Sequence, residues 1–529
     1  MSSLLHELIF HTAERMPERV ALVHQQASLT YAQLAAAVDG ACAQFLELGL
    51  ARRERVAVYL DKRLETVAAM FGAAAGGGAF VPVNPLLKPD QVAYILRDCN
   101  VRVLVTSPER HALLAGALAD CHDLHTVLLV GDAPADAPGG HWRTEPWHPA
   151  AVASPSGRSR RGIDADMTAI LYTSGSTGKP KGVVLSHRNM VAGAESVARY
   201  LDNRPDDRLL AVLPFSFDYG LSQLTTAFAR GAAVVLLNYL LPRDVVRAVE
   251  RERITGLAAV PPLWIQLAQL DWPAAAAGTL RYITNSGGAM PGSVVAGLRG
   301  KLPRTRVFLM YGLTEAFRST YLPPEELDRR PDSIGKAIPN AEVMVVREDG
   351  TPCAPGEPGE LVHRGALVAL GYWNDAEKTA ERFRPAPQGE YGIRLPEIAV
   401  WSGDTVRSDE DGFLYFIARK DDMIKTSGYR VSPTEIEEVL YATGLVGEAV
   451  ALGVPHPTLG QAIVVVATAA GAGRLDADAL LAECKRRLPA FMVPAAIHAE
   501  SALPRNPNGK IDRKALAAQF ADRFAGEPA

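Results

Sequence analysis

The chain has 529 residues, 48% of them apolar and 22% charged, and its 55 Lys+Arg against 59 Asp+Glu give a formal charge of −4. At roughly 150 residues per domain, that length predicts three or four structural units with enough core to need no disulfide or metal staple. The near balance of charge excludes the bulk basic footprint of a nucleic-acid or anionic-membrane binder. With Gly 45 and Pro 37, the composition also excludes fibrous, collagen-like and disordered chains.

Met1 to Arg19 has no basic n-region and Glu7 interrupts its apolar residues, so it does not read as a signal peptide. From Val20 to Val105, strand-like runs (Val56 to Leu60, Val101 to Val105) alternate with amphipathic helical runs (Tyr31 to Leu48, Pro89 to Asp98). This alternation predicts a parallel sheet with helices on its faces. The uncharged segment Thr66 to Leu87 is long enough for a membrane span, but it carries Gly76-Gly77-Gly78 and Pro82. It reads better as a buried helix (Glu65 to Ala75), a glycine turn and a short strand. Cys42, Cys99, Cys121, Cys353 and Cys484 are odd in number and scattered, without zinc or dithiol spacing, which predicts reduced thiols in a cytoplasmic protein.

Gly131 to Gly162, with Arg158, Arg160 and Arg161, reads as a solvated connector. The alternation resumes at Thr168 and runs to about Ile393, with a Pro/Gly break over Phe383 to Glu397. After Arg419 the pattern becomes a compact α+β unit. There Ser432-Pro433-Thr434-Glu435 has the form of a capping box with proline at the first helical position, predicting a helix to about Thr443. Strands are expected at Glu448 to Val454 and Ala462 to Thr468, and a helix from Asp476 to Leu488. The expected fold class is α/β: a large N-terminal body of parallel and mixed sheets flanked by helices (1–420), and a small mobile α+β C-terminal domain (421–529).

The strongest local signal is Thr173-Ser174-Gly175-Ser176-Thr177-Gly178-Lys179-Pro180-Lys181-Gly182, between strand-like Ala169 to Tyr172 and Val183 to Leu185. Its three glycines let backbone N–H groups approach an anion, four hydroxyls add donors and two lysines add charge, which makes a phosphate cradle. It lacks the Walker A spacing and is followed by a strand, so an ordinary P-loop NTPase is disfavoured. The loop resembles the signature [ST]SG[ST]TGxPKG of the AMP-forming adenylate enzymes: acyl-CoA synthetases, luciferases and peptide-synthetase adenylation domains. Ser286-Gly287-Gly288-Ala289-Met290-Pro291, Tyr311-Gly312-Leu313-Thr314-Glu315, Gly371-Tyr372-Trp373, Ser402-Gly403-Asp404, Ala418 to Lys425 and Pro507-Asn508-Gly509-Lys510-Ile511 recur in that family's order.

The resemblance implies two half-reactions. A carboxylate attacks the α-phosphate of ATP and releases pyrophosphate; a thiol then attacks the acyl-adenylate and releases AMP. Thr173, Ser174, Gly175, Ser176, Thr177, Gly178 and Lys181 are expected around the β- and γ-phosphates, Thr314 at the α-phosphate, and Glu315 with Thr173 at Mg2+. Gly287, Gly288 and Ala289 are expected beside the adenine, with Tyr311 stacked on it and Gly312 alongside; Asp404 is expected at the ribose hydroxyls with Arg419 close by. Lys510 matches the family's catalytic lysine and Asp421 its hinge. The small domain would deliver Lys510 for adenylation and then turn Lys425 to Arg430 toward the site, with Gly428 lining the thiol tunnel.

The acid is less legible. In Pro214 to Leu221, Phe217-Asp218 resembles the peptide-synthetase pattern whose aspartate binds an α-ammonium, whereas Tyr219-Gly220-Leu221 resembles the acyl-CoA synthetases. Asp218 is read either as that contact or as a hydrogen-bonded turn residue; a buried carboxylate needs a cation or donors, and an ammonium substrate would supply one. Trp264, in Val260-Pro261-Pro262-Leu263-Trp264, is read as a cap on the acyl cavity or as core. Phe317-Arg318-Ser319 and the extended Phe383 to Ala399 depart from the commoner continuations and look most like the free-standing acyl-CoA ligases encoded beside exosortase systems. The expected activity is therefore an ATP- and Mg2+-dependent acid–thiol ligase acting on a small carboxylic acid, with CoA as acceptor. The alternative is a free-standing amino-acid adenylation enzyme loading the phosphopantetheine of a carrier protein. Neither reading involves nucleic acid or a membrane span.

Overall fold

The apolar runs fold as buried strands, and their order in space crosses their order in sequence. The computed structural model describes residues 2–132, 139–148, 162–173, 179–387, 396–419, 423–470, 475–504 and 511–526. One sheet runs Gly371–Tyr372, Lys181–Ser186, Met167–Thr173, Ala79–Pro82, Arg55–Tyr59, Val101–Thr106, Thr126–Leu129 and Arg143–Pro146. A second sheet has a parallel heart of Arg306–Tyr311, Tyr282–Asn285, Gly256–Ala259, Arg208–Ala211, Ala233–Leu236 and Val20–His24. Antiparallel strands extend it through Ser333–Ala337 to Ile398–Ser408 and Leu414–Arg419. The largest apolar core joins side chains of both sheets with those of the helices Tyr31–Glu47, Leu64–Ala75, His187–Tyr200 and Asp218–Arg230.

The third sheet, Tyr429–Val431, Ile424–Thr426, Gly460–Ala469 and Val446–His456 with Ala496–Ala499 on its flank, has cores of its own built from residues beyond 423. The fold class is thus α/β, with a small C-terminal sheet unit. Thr66 to Leu87 divides into the helix Leu64–Ala75 and the strand Ala79–Pro82, and among the described residues no helix is long and apolar enough to cross a membrane.

Two local expectations are corrected. The connector Gly131 to Gly162 is not wholly irregular: Arg143–Pro146 adds an edge strand parallel to Thr126–Leu129, and Trp142 before it is buried. The other is the capping box at Ser432. The helix Pro433–Tyr441 does follow Ser432, but the Ser432 hydroxyl makes no capping hydrogen bond. Glu435, which would complete the box, instead accepts a hydrogen bond at 3.0 Å from Gln91 Nε2, on the helix Pro89–Asp98 of the large body. The arginines at 158, 160 and 161 lie outside the described residues, as do Ser174 to Gly178, Asp421 and Lys510.

Candidate active site

The strands Met167–Thr173 and Lys181–Ser186 pair antiparallel with Thr173 opposite Lys181, so these two residues stand at the base of the hydroxyl-rich loop. The Lys181 ammonium lies 5.3 Å above the Tyr372 ring. The Tyr372 hydroxyl donates to Glu315 Oε1 at 2.7 Å, and both residues are buried. Tyr372 therefore fixes the carboxylate beside the loop base. A charge-assisted bond of this kind is stronger than a neutral one, because the acceptor carries a full charge in a low-dielectric setting.

Two cavities meet here. One, of about 730 Å³, is lined by Gly287, Gly288, Ala289, Tyr311 and Gly312. These are the residues expected at the adenine. The Tyr311 hydroxyl donates to Asp404 Oδ2, so the expected base-stacking and ribose-binding residues are linked directly. Arg419 pairs with Asp404 through the backbone register, which brings its main chain alongside. The second cavity, of about 180 Å³, is lined by Thr173, Phe217, Asp218, Thr314 and Arg318. Gly287, Gly312, Lys425 and Gly428 line both, so the two cavities share a junction at these residues.

The floor of the smaller cavity is an ion pair. Asp218 is the first residue of the helix Asp218–Arg230, where its negative charge is favoured by the helix dipole. Arg318 Nη1 donates to Asp218 Oδ2 at 2.7 Å, and the two side chains are only 3% and 5% exposed. Burial pushes the Asp218 carboxyl upward, Arg318 opposes that shift, and neighbouring Glu315 adds to it. Thr314 donates to the other Asp218 oxygen at 3.4 Å, at the long end of hydrogen bonding. Phe317 turns the chain to make this pair. The short helix Thr314–Ala316 ends on it at φ +52°, a conformation that costs a side-chain-bearing residue ~1–2 kcal/mol. Its ring occupies space left by Gly193, whose missing Cβ would stand 2.3 Å from Phe317 Cδ1. Arg318 then points back into the pocket and rests 4.9 Å over the Tyr219 ring.

Of its two readings, Trp264 takes that of core. It is fully buried, is absent from the lining of either cavity, and donates from Nε1 to the carbonyls of Ala259 and Thr284 at 3.0 and 3.1 Å. The small sheet closes the cavity from above through the hairpin Ile424–Thr426 and Tyr429–Val431. Its tip, Ser427-Gly428, lies against Val260, and Tyr429 stacks on Phe491 at 3.9 Å. The motifs were legible in the sequence, but three partners were not: Arg318 for Asp218, Tyr372 for Glu315 and Gln91 for Glu435. The signals were present in part, since Phe317-Arg318-Ser319 stood out as a departure and Gly371-Tyr372-Trp373 as a motif without an assigned role.

Comparison with known proteins places the chain in a family. The model of AMP-binding enzymes matches residues 9–373, and that of the AMP-binding enzyme C-terminal domain matches 435–510. The L-proline--[L-prolyl-carrier protein] ligase of Streptomyces coelicolor is 35% identical over 522 residues, covering 92% of this chain and 91% of that protein. The feruloyl-CoA synthase of an Amycolatopsis species is 31% identical over 509 residues, covering 94% and 95%. The chain spans only 10% and 6% of linear gramicidin synthase subunits D and C from Brevibacillus parabrevis, which it also matches. Among solved structures, the amide bond synthetase McbA from Marinactinospora thermotolerans superposes with a TM-score of 0.85 at 26% identity, covering 98% of this chain and 99% of that one. With the loop base, the paired cavities and the small sheet unit all in place, the chain belongs to the AMP-binding enzyme family, within the AMP-forming adenylate superfamily.

Proposed function

We propose that the protein is an ATP-dependent acid–thiol ligase whose acid lacks an α-amino group and whose acceptor is CoA. The observation that carries this reading is the Asp218–Arg318 pair. An α-ammonium is drawn to a pocket carboxylate that lacks a cation, and here Arg318 already supplies the cation at 2.7 Å. An incoming ammonium would have to displace a buried guanidinium, leaving it unpaired at a cost of several kcal/mol. The 31% likeness to a feruloyl-CoA synthase over nearly its full length supports the acyl-CoA side.

In this reading the carboxylate enters from the smaller cavity and attacks the α-phosphorus of ATP held in the larger one, expelling pyrophosphate. The thiol then attacks the acyl carbon and AMP leaves. Both steps bring like charges together, so positioning and electrostatics carry them. Glu315, oriented by Tyr372, and Thr173 form an all-oxygen set suited to Mg2+, which would neutralise phosphate charge. Lys510 would bridge the carboxylate and the α-phosphate, and Asp421 would be the hinge between 1–420 and 421–529. Lys425 and Gly428 at the junction of the cavities support reading this arrangement as that of the second, thiol-transfer step.

A second reading keeps a specific observation behind it. The prolyl-carrier protein ligase is 35% identical, and Phe217-Asp218 has the amino-acid-binding form. Substrate-dependent ATP–pyrophosphate exchange with matched panels of acids and amino acids separates the two, followed by thioester formation with CoA or a phosphopantetheinylated carrier protein. Exchange with acids lacking an amino group, and thioester with free CoA, is the expected result. Exchange confined to one amino acid and lost in Asp218→Ala would overturn it in favour of carrier loading.

A further inference from the structure

A narrow pocket of about 40 Å³ adjoins the smaller cavity, with Pro82 and Ser216 lining both. That is room for one small polar group, since a single water takes ~10–15 Å³. Its walls are apolar at Val58, Leu60, Val83 and Phe215, and the partly buried Lys62 lines it. Three strand ends converge on this lysine. It follows the strand Arg55–Tyr59, and just past Ala233–Leu236 the Asn238 side chain clasps its backbone, accepting from the N–H at 3.2 Å and donating to the carbonyl at 2.9 Å. The Lys62 ammonium donates to the Val212 carbonyl at 3.1 Å, at the carboxyl end of Arg208–Ala211. The segment after Val212 runs on to Phe217 and Asp218 in the smaller cavity. Carboxyl ends of parallel strands are where α/β folds place their ligands.

We infer that the acid carries a second carboxylate at its far end, which reaches past Pro82 and Ser216 and is bound by the Lys62 ammonium. This rests on the ligase reading above and narrows its substrate class to dicarboxylic acids. An ammonium has three donors, and the Val212 carbonyl takes one. Among the described residues no carboxylate forms an ion pair with Lys62; Asp61 acts on it only at longer range and pairs with Arg110 at 2.9 Å. Burial accordingly pushes the Lys62 ammonium down to about 8, with Asp61 opposing the shift. The other cations of the smaller cavity are answered. Arg318 pairs with Asp218 at 2.7 Å. Arg430 lies close enough to act on Tyr372, which holds Glu315, and Lys425 also lines the larger cavity, where a nucleotide is expected. Glu435, the remaining carboxylate of the lining, accepts from Gln91. Lys62, Arg318, Lys425 and Arg430 thus face only Asp218 and Glu435 across the two spaces, a surplus of positive charge that a doubly anionic acid matches.

The test is ATP–pyrophosphate exchange with full-length protein and α,ω-dicarboxylic acids of increasing length, with straight-chain and with aromatic spacers. Each is paired with its ω-amide, its ω-methyl monocarboxylic relative and its 2-amino relative, so that the second charge is removed while length and shape are kept. At one length in at least one series the dicarboxylic acid is expected to exceed its ω-amide in kcat/KM by at least about tenfold. That ratio is expected to fall to about one in Lys62→Met and to be partly kept in Lys62→Arg; Lys62→Gln takes the place of Lys62→Met should that variant fail to fold. No dicarboxylate advantage at any length, inactivity of the whole panel included, overturns the inference; the ligase reading then stands wherever the monocarboxylic relatives exchange. An advantage that survives in Lys62→Met and disappears in Arg430→Met overturns the assignment to Lys62. If Lys62→Met leaves the exchange ratio intact and instead raises KM for CoA in thioester formation, the anion bound is a phosphate of the acceptor and the inference is overturned. A preference for the 2-amino relatives overturns the ligase reading as well.

Discussion

Replacing Gly428 by alanine tests whether the hairpin of the small sheet seats in the large body for the second half-reaction. Ser427 and Gly428 form a two-residue turn between Thr426 and Tyr429, with φ of +51° and +81°, the left-handed pairing that suits a tight hairpin. A Cβ on Gly428 would stand 2.8, 2.9 and 3.0 Å from Cγ2, Cβ and Cγ1 of Val260, too close for any real side chain. The two penalties act differently. The left-handed backbone costs alanine ~1–2 kcal/mol, but the hairpin carries that cost wherever it sits, so it lowers stability and leaves seating unaffected. The clash with Val260 exists only when the hairpin is seated. Overpacking of this size costs ~1–3 kcal/mol, which lowers the seated population about 5- to 150-fold. In single-turnover quench experiments, pyrophosphate release is expected near the wild-type rate, with thioester formation slowed by that factor and further slowed in Gly428→Leu. Val260→Ala, which removes both clashing methyl groups, is expected to restore part of the loss. Unimpaired thioester formation in Gly428→Leu, or equal loss in both half-reactions, would refute the seating argument.

The Gln91–Glu435 contact should make seating pH-dependent. Burial pushes the Glu435 carboxyl up to about 7, against 4.5 when solvated; Gln91 opposes the shift and Glu438 adds to it. The seated form therefore binds more protons, and seating weakens as pH rises from about 4.5 to about 7, levelling off above, with a total loss of at most about 3 kcal/mol. A donor–acceptor dye pair spanning the large body and the small sheet should report that decline, and Glu435→Gln should flatten it; a pH-independent wild-type signal rejects it. Tyr372→Phe removes the 2.7 Å bond to Glu315. Loss of a charge-assisted bond worth ~1.5–3 kcal/mol predicts a ten- to hundredfold fall in exchange kcat/KM and a higher Mg2+ requirement. Unchanged Mg2+ dependence would remove Tyr372 from a positioning role.

What the sequence made legible divides along physical lines. Strands such as Val101–Thr106 and helices such as Pro89–Asp98 were visible because their apolar periodicity is local and survives any tertiary arrangement. The edge strand Arg143–Pro146 was not, because it has no apolar alternation and exists through backbone pairing with Thr126–Leu129. The site motifs were visible for a different reason: they follow one another along the chain in a known order. Their partners were not, since a carboxylate does not announce which distant residue will balance it. Ser432 to Glu435 shows the limit, since the four residues satisfy the local rule for a capping box and the rule still fails. Gln91, more than three hundred positions away, offers Glu435 a donor that the Ser432 backbone would otherwise have supplied.

Asp218 sharpens the point, because there the sequence posed the right question. A buried carboxylate requires a cation, and both readings of the acid turn on where that cation comes from. The answer depends on the left-handed turn at Phe317, on the space left by Gly193 and on a residue 100 positions from Asp218, none of which has a signature in the neighbourhood of the aspartate. Once Arg318 is in place the specificity problem changes form. In the ligase reading the acid need not bring a positive charge, because Arg318 already balances Asp218.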